Sequence, residues 1–393
     1  TSFQEVVDVF KKWLYIEDED DLYVIAGLFL SHRIKGDPVW LFLIGPSSDG
    51  KTEMIRSFSN EDAILVQSIT PRTLISGYNP HDNMRVKYDL APRLRDKILL
   101  IYDFTEILNK KSEERNEIFS QLRSLYDGTI NKIMGNGISV TYGTGKDGDP
   151  KIYCSMIAAC TPIIDIYINE QNTLGTRHIY YRKRTSNQMM VMNKIDESKT
   201  QDREIMRSEI QETIKDYFLS LPEFIPVLEV SEAEWLKELV KSLCKLRAGA
   251  KHNNFTDELD EQIVPENTSR VFIMMKKLML GLKNIDTMTL ERMDRIIRKV
   301  VISSMMEKRV QVLEYLWENK EREHSIEQVA DSLKIGRRST KRELLSLHNL
   351  GYVDRTKQYA KDDKYPTEYF QVSLSCDKEL TRIFGGEISL NSF

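Results

Sequence analysis

The sequence predicts an α/β protein: a parallel-sheet phosphate-loop core, a helical segment after it, and a C-terminal winged helix. Three observations predict this. Apolar strand-like runs alternate with helix-like runs in the first half, as parallel strands joined by crossover helices require. A Gly-rich loop, GPSSDGKT from Gly45 to Thr52, joins one such strand to a helix. Three short amphipathic helical segments and a strand pair run from Arg309 to Val372.

The chain has 393 residues, 41% hydrophobic and 30% charged, enough for two or three domains with a buried core. We expect an N-terminal helix and linker at 1–21, a core at 22–200 with an insert at about 115–152, a helical segment at 201–306, a winged helix at 307–375 and a tail at 376–393. Lys plus Arg is 56 against 60 for Asp plus Glu, so any nucleic-acid surface must be local. Cys154, Cys160, Cys244 and Cys376 form no CxxC pair, which argues against a zinc site or a disulfide framework and fits a reducing, cytoplasmic setting. The apolar run Leu22 to Leu30 is shorter than the roughly 20 residues that span a bilayer. No signal peptide pattern is visible, so no membrane partner is expected. The chain opens with Thr rather than Met, as a fragment or a processed chain does.

Phe3, Val6, Val7, Phe10, Trp13 and Leu14 give an amphipathic helix, followed by the acidic run Glu17 to Asp21. Leu22 to His32 reads as a second helix. Val39 to Ile44 is a continuous apolar run, as a parallel strand buried on both faces should be. Ala63–Val66, Lys97–Tyr102, Tyr153–Cys160 and His178–Tyr181 are further strands. From Asp202 to Met306 the periodicity is helical, broken by a polar loop at Lys251 to Asn267.

Gly45, Pro46, Ser47, Ser48, Asp49, Gly50, Lys51 and Thr52 match the phosphate-loop motif in full. Glycines let the backbone curl so that its N–H groups face phosphates, and the following helix N-terminus adds positive potential. Lys51 reaches the β- and γ-phosphates of ATP, and the Thr52 hydroxyl ligates Mg²⁺. A second strand ending in a carboxylate must complete the metal site, and KILLIYD ends in Asp103. The next residue is Phe104, so a water-activating glutamate falls to Glu106, which otherwise reads as a solvated loop residue. Thr161, after SMIAAC, ends a further strand where a small polar side chain senses the γ-phosphate or simply ends the strand. Arg177 precedes another strand, where an arginine finger would face a neighbouring subunit's γ-phosphate. Arg182, Lys183 and Arg184 beside it read as part of the finger, as ion pairs, or as basic surface.

These residues resemble the AAA+ ATPases, and more narrowly the clade of minichromosome maintenance helicases and similar helicases of phages and mobile elements. The resemblance covers roughly residues 20 to 305. Its specific part is EIFSQLRSLYDGTINKIMGNGISVTYGTGKDGDPKIYCSMIAACTP, a helix and a strand pair before the strand that bears the sensor. VPENTSRVFIMMKKLMLGL resembles the start of the family's lid helix, with Arg270 as the second sensor. The opening GDPVW, Gly36 to Trp40, is also similar to uncharacterised phage proteins of this type. The resemblance implies ATP with Mg²⁺, a ring that is a hexamer, single-stranded or forked DNA in the channel, and replication partners. In it, hairpins carrying Lys132, Lys146 and Lys151 grip DNA by sequence-independent, salt-sensitive contacts. Bottom-up, those lysines also fit an inert surface hairpin punctuated by glycines. Two departures stand out: the glutamate is displaced and the sensor is Thr, not Asn.

Residues 325–355 read as helix, turn, helix and strand. Ile326, Val329, Ala330 and Leu333 form one apolar face, and Leu344, Leu345 and Leu347 bury the second helix. Arg337, Arg338, Lys341 and Arg342 precede any acid on it, the charge layout of a helix entering a DNA groove. A winged helix for protein contact carries the same apolar pattern. A DNA helicase or translocase, a nucleotide-switch initiator or signalling NTPase with slow turnover, and a DNA-binding regulator tuned by ATP all fit these residues.

Overall fold

The computed structural model describes residues 1–76, 88–133, 137, 139–167, 177–197, 203–222, 226–359 and 366–385. Gly135, Ile138, the turn residues before Arg177, the wing's polar tip and the last eight tail residues lie outside them. The chain divides into two compact units. The first comprises Thr1–Tyr167, Arg177–Glu229 and Ile273–Ile296, and the second takes in Val230–Phe272 and Ile297–Phe393.

Helix α1 (Phe3–Trp13) is capped by the Ser2 hydroxyl and buries Phe3, Val6, Val7 and Phe10. Helix α2 (Asp20–His32) starts two residues before the apolar run, because Asp20 and Asp21 are themselves buried. Arg295 stabilises Asp20 with two hydrogen bonds of 2.6 and 2.9 Å. There follow β1 (Trp40–Ile44), α3 (Lys51–Ser57), β2 (Ala63–Val66), β3 (Lys97–Ile101), α4 (Phe104–Leu108) and α5 (Ser112–Tyr126). The insert is an antiparallel hairpin, β4 (Ile130–Ile133) and β5 (Ser139–Tyr142). Then come β6 (Cys154–Cys160), β7 (Ile179–Arg182), α6 (Gln188–Glu197) and α7 (Arg203–Ser220).

The sheet order is β2-β3-β6-β1-β7, with every pair parallel. Every residue of β1 and β6 is buried, which is why both sequences are apolar without alternation. Trp40 tolerates this because its indole N–H donates to the Cys154 carbonyl at 2.7 Å.

In the second unit α8 (Val230–Leu246) is followed by the polar loop and the first turn of α9 (Thr268–Lys283). Helix α10 (Leu290–Ser303) leads to α11 (Glu307–Glu318), β8 (His324–Ser325), α12 (Ile326–Leu333), α13 (Arg337–Asn349), β9 (Val353–Gln358), β10 (Thr367–Val372) and α14 (Asp377–Phe384). Helix α12 opens with a capping box between Ser325 and Gln328. The wing is a three-stranded sheet, β8-β10-β9, so the expected strand pair gains a third member. Arg309 is buried, donating to the Leu246 and Ala248 carbonyls (3.2 and 2.7 Å) and pairing with Glu343 (2.9 Å). The tail expected from Cys376 begins as α14, which buries Leu380, Ile383 and Phe384. The architecture is the expected α/β arrangement: a parallel-sheet core with a phosphate-type loop, helices after it and a winged helix. No helix among the described residues is long and apolar enough to cross a membrane.

Candidate functional site

The carboxyl ends of β1, β3, β6 and β7 lie along one edge of the sheet, where open α/β sheets bind ligands. Register places Ile44 beside Cys160 and Arg182, and Ile101 beside Ala158. Gly45 N donates to the Cys160 carbonyl at 3.1 Å, and Lys183 N donates to the Ile44 carbonyl at 2.7 Å. The Thr52 hydroxyl donates to the Tyr102 carbonyl at 3.4 Å, one residue from Asp103. Neighbouring strand ends thus bring Lys51, Thr52, Asp103 and Thr161 to one edge of the sheet.

The loop from Gly45 to Gly50 curls through two left-handed residues, Ser48 (φ 63°) and Gly50 (φ 77°). Gly50 has open space where a Cβ would lie, so the backbone angle demands glycine there. Ser48 holds the same conformation with a side chain, an uncommon one for a non-glycine. Lys51 is buried and its Nζ donates to the carbonyls of Gly45 (2.8 Å) and Pro46. Burial lowers the pKa of its ammonium, while the Asp49 and Asp103 carboxylates act in the opposite direction.

Asp49 anchors the loop from behind. Its carboxylate accepts from Ser186 N (3.1 Å) and meets Lys183 Nζ at 3.0 Å. Lys183 also lies 3.6 Å from Asp21, and its Nζ donates to Ser186 Oγ at 3.0 Å. All three charged side chains are at most 1% exposed. Lys183 is therefore an internal ion-pair residue. Arg182 is another, bound to Asp165.

Asp103 caps α4 by accepting from Glu106 N at 3.3 Å. The Glu106 carboxylate is half exposed and 3.8 Å from Lys110, one turn along the same helix. Thr161 faces Thr105: their hydroxyls are 3.2 Å apart, and Thr161 N donates to Thr105 Oγ1 at 3.0 Å. Sequence reasoning missed Thr105, which sits two residues after Asp103. Arg177 donates to Asp127 through Nε (3.1 Å) and Nη2 (2.7 Å).

A cavity of about 660 Å³ opens beside Ser48 to Met54. Its other walls are Trp13 to Ile16, Val191 and Ile195 of α6, and Arg203 and Met206 of α7. That volume lies in the range of small-molecule sites, with apolar walls and a few polar groups. The sequence did not assign Trp13 to Ile16 or Arg203 to a site; the only signal was an aromatic stretch just before the acidic run.

In the insert, Lys132 pairs with Glu117 (2.6 Å) and donates to the Pro71 carbonyl (2.9 Å), whereas Lys146 and Lys151 are exposed. In the second unit, Arg337 is exposed and pairs with Glu327 (2.5 Å). Arg338, Lys341 and Arg342 all donate to the loop at 254–257. Arg270 stands half-buried in the first turn of α9.

No known family model matches the chain, and no curated protein matches it by sequence. Among solved structures it is similar to the ORC1 protein of Aeropyrum pernix in complex with DNA. That match has 13% identity and a TM-score of 0.30, over 94% of this chain and 93% of that one.

Proposed function

We propose that the chain is an AAA+ ATPase that binds ATP with Mg²⁺ on the loop from Gly45 to Thr52, hydrolyses it, and works on DNA in the cytoplasm. The observation that carries this reading is the convergence of Lys51, Thr52 and Asp103 beside a cavity of nucleotide size. The donors fit the cofactor: a hydroxyl and a carboxylate are the hard oxygen ligands that magnesium prefers, and a lysine stands ready for phosphate. Bound magnesium supplies charge neutralisation on the phosphates. Lys51 would hold the β- and γ-phosphates, Thr52 and Asp103 would hold the metal, and Thr161, fixed by Thr105, would sense the γ-phosphate. Arg177 and Arg270 act between copies of the chain in a ring, a hexamer in this reading.

In its finer form the reading is a ring-forming helicase or translocase of phage or mobile-element replication, moving on single-stranded or forked DNA with replication partners. It rests on the β4–β5 hairpin with exposed Lys146 and Lys151 close behind it. A second reading, a nucleotide switch with slow turnover, is favoured by the pairing of Glu106 with Lys110.

The test is ATP turnover and strand displacement on a forked duplex by the wild type, Lys51→Ala and Asp103→Ala. Both variants should lose turnover by roughly two orders of magnitude or more. Wild-type turnover in Lys51→Ala sinks the ATPase. Turnover without strand displacement selects the switch over the motor.

A further inference from the structure

We propose that residues 251–260 form an internal strap that covers the nucleic-acid face of α13 and must swing away before that face meets a phosphate backbone. This rests on the DNA part of the proposed function and concerns its regulation.

The strap takes the cations of that face one by one. Asp257 Oδ1 accepts from Arg338 Nε at 2.7 Å and from Arg342 Nε at 2.8 Å. Arg338 Nη2 also donates to the Asn254 carbonyl, and Arg342 Nη2 to Asn254 Oδ1 at 3.3 Å. Lys341 Nζ donates to the Thr256 carbonyl at 2.9 Å. On the wing, Arg355 of β9 donates through Nη2 to Glu258 at 3.0 Å. Both α13 arginines spend their Nε–Nη2 edge, the fork that would otherwise grip a phosphate or a guanine. A carboxylate thus stands where a phosphate would, with Asp257, Glu258, Asp260 and Glu261 crowded into five residues.

The loop is shaped for this contact. Asp257 is left-handed, φ 63°, a conformation that aspartate tolerates better than most residues. Asn253 Oδ1 accepts from Phe255 N (2.9 Å) and Thr256 N (3.2 Å), and Asp257 N donates to the Asn253 carbonyl at 2.9 Å. The His252 ring bridges the Asp257 carbonyl (2.9 Å) and Ser346 Oγ of α13 (3.1 Å). Phe255, 97% exposed, marks the solvent side of the tip. The ion pairs are on the surface and individually weak, so an array of DNA phosphates can displace them. The strap therefore raises the threshold for binding and does not abolish it.

The test uses the full chain and a fluorescein-labelled duplex, read by anisotropy between 50 and 200 mM salt. Asp257→Asn keeps the shape and the left-handed angle while removing the charge. It should bind DNA about tenfold more tightly than the wild type. Its salt slope should steepen by about 0.9 for each phosphate newly contacted. Adding Arg338→Ala and Arg342→Ala should remove the gain. A folded Asp257→Asn that binds no tighter than a DNA-binding wild type overturns the strap alone. If neither protein binds duplex at 50 mM salt, the DNA reading falls and the strap with it. Should Asp257→Asn fail to fold, Glu258→Gln removes one strap charge and one of the two carboxylates on Arg355, which stays paired with Glu368 at 2.5 Å; it should bind DNA about threefold more tightly, and a folded variant that binds no tighter overturns the strap.

Discussion

Lys183 sits between Asp49 of the phosphate loop and Asp21 of α2, sealed from water. Asp49 also accepts from Ser186 N and feels the Lys51 ammonium, while Lys183 Nζ donates to the Ser186 hydroxyl. Removing the cation strands two buried carboxylates, a loss on the order of 3–5 kcal/mol. Lys183→Met should therefore lower the unfolding free energy by about that much in urea titrations. Adding Asp21→Asn and Asp49→Asn to it should restore most of the loss, since a neutral cluster has no charge to desolvate. A Lys183→Met protein as stable as the wild type removes the argument. At this scale the sequence was half legible. The motif named Lys51 and Thr52, whose spacing phosphate chemistry fixes, and a second apolar strand ending in a carboxylate named Asp103. Lys183 read as ambiguous, because its partners lie 134 and 162 positions away and only the fold selects them.

Helices α2 and α9 meet through Gly27 and Gly281. A Cβ on Gly281 would lie 2.0 Å from the Gly27 carbonyl oxygen and 2.7 Å from Ser31 N, both backbone atoms that cannot yield. A Cβ on Gly27 would meet Leu282 Cδ2 at 2.6 Å and Cγ at 2.9 Å, atoms of a side chain that is itself fully buried. Gly281→Ala should thus destabilise by about 1–3 kcal/mol or more through overpacking. Gly27→Ala should cost less than Gly281→Ala, about 1–2 kcal/mol, because a side chain rather than backbone must give and alanine's helix propensity offsets part of the clash. Thermal melts of the two variants check this, and a reversed order defeats it. Elements were legible where one local pattern sufficed: the apolar runs of β1 and β6, the apolar face of α12, the glycines flanking β4 and β5. Two-residue β8 was not, since only its pairing with β10 makes it a strand. Nor was α14, whose apolar positions span two turns in a stretch that otherwise reads as tail.

For the whole molecule, nucleotide binding is a stability statement. Mg²⁺ and ATP at 100 times the dissociation constant should stabilise the native state by about 2.7 kcal/mol. Scanning calorimetry or a dye melt should register that as an upward shift of several degrees. Lys51→Ala should show no shift, and a shift of equal size in it would point to binding elsewhere. At this scale composition told little. A net charge of −4 hides both a basic helix and the acidic loop that neutralises it, so the sum is silent about either. The alternation of runs implied a parallel sheet, but no local pattern encodes the order β2-β3-β6-β1-β7.

That order has a consequence for how the protein is made. Strand β1 is flanked only by β6 and β7, so it has no sheet neighbour until residue 154 has been translated. At about 5–20 residues per second, five consecutive apolar residues wait on the nascent chain for several seconds, in reach of chaperones and of other emerging polypeptides. The interval between ribosomal emergence of β1 and of β6 is when this protein is most exposed to misassembly, long before its ligand can protect it.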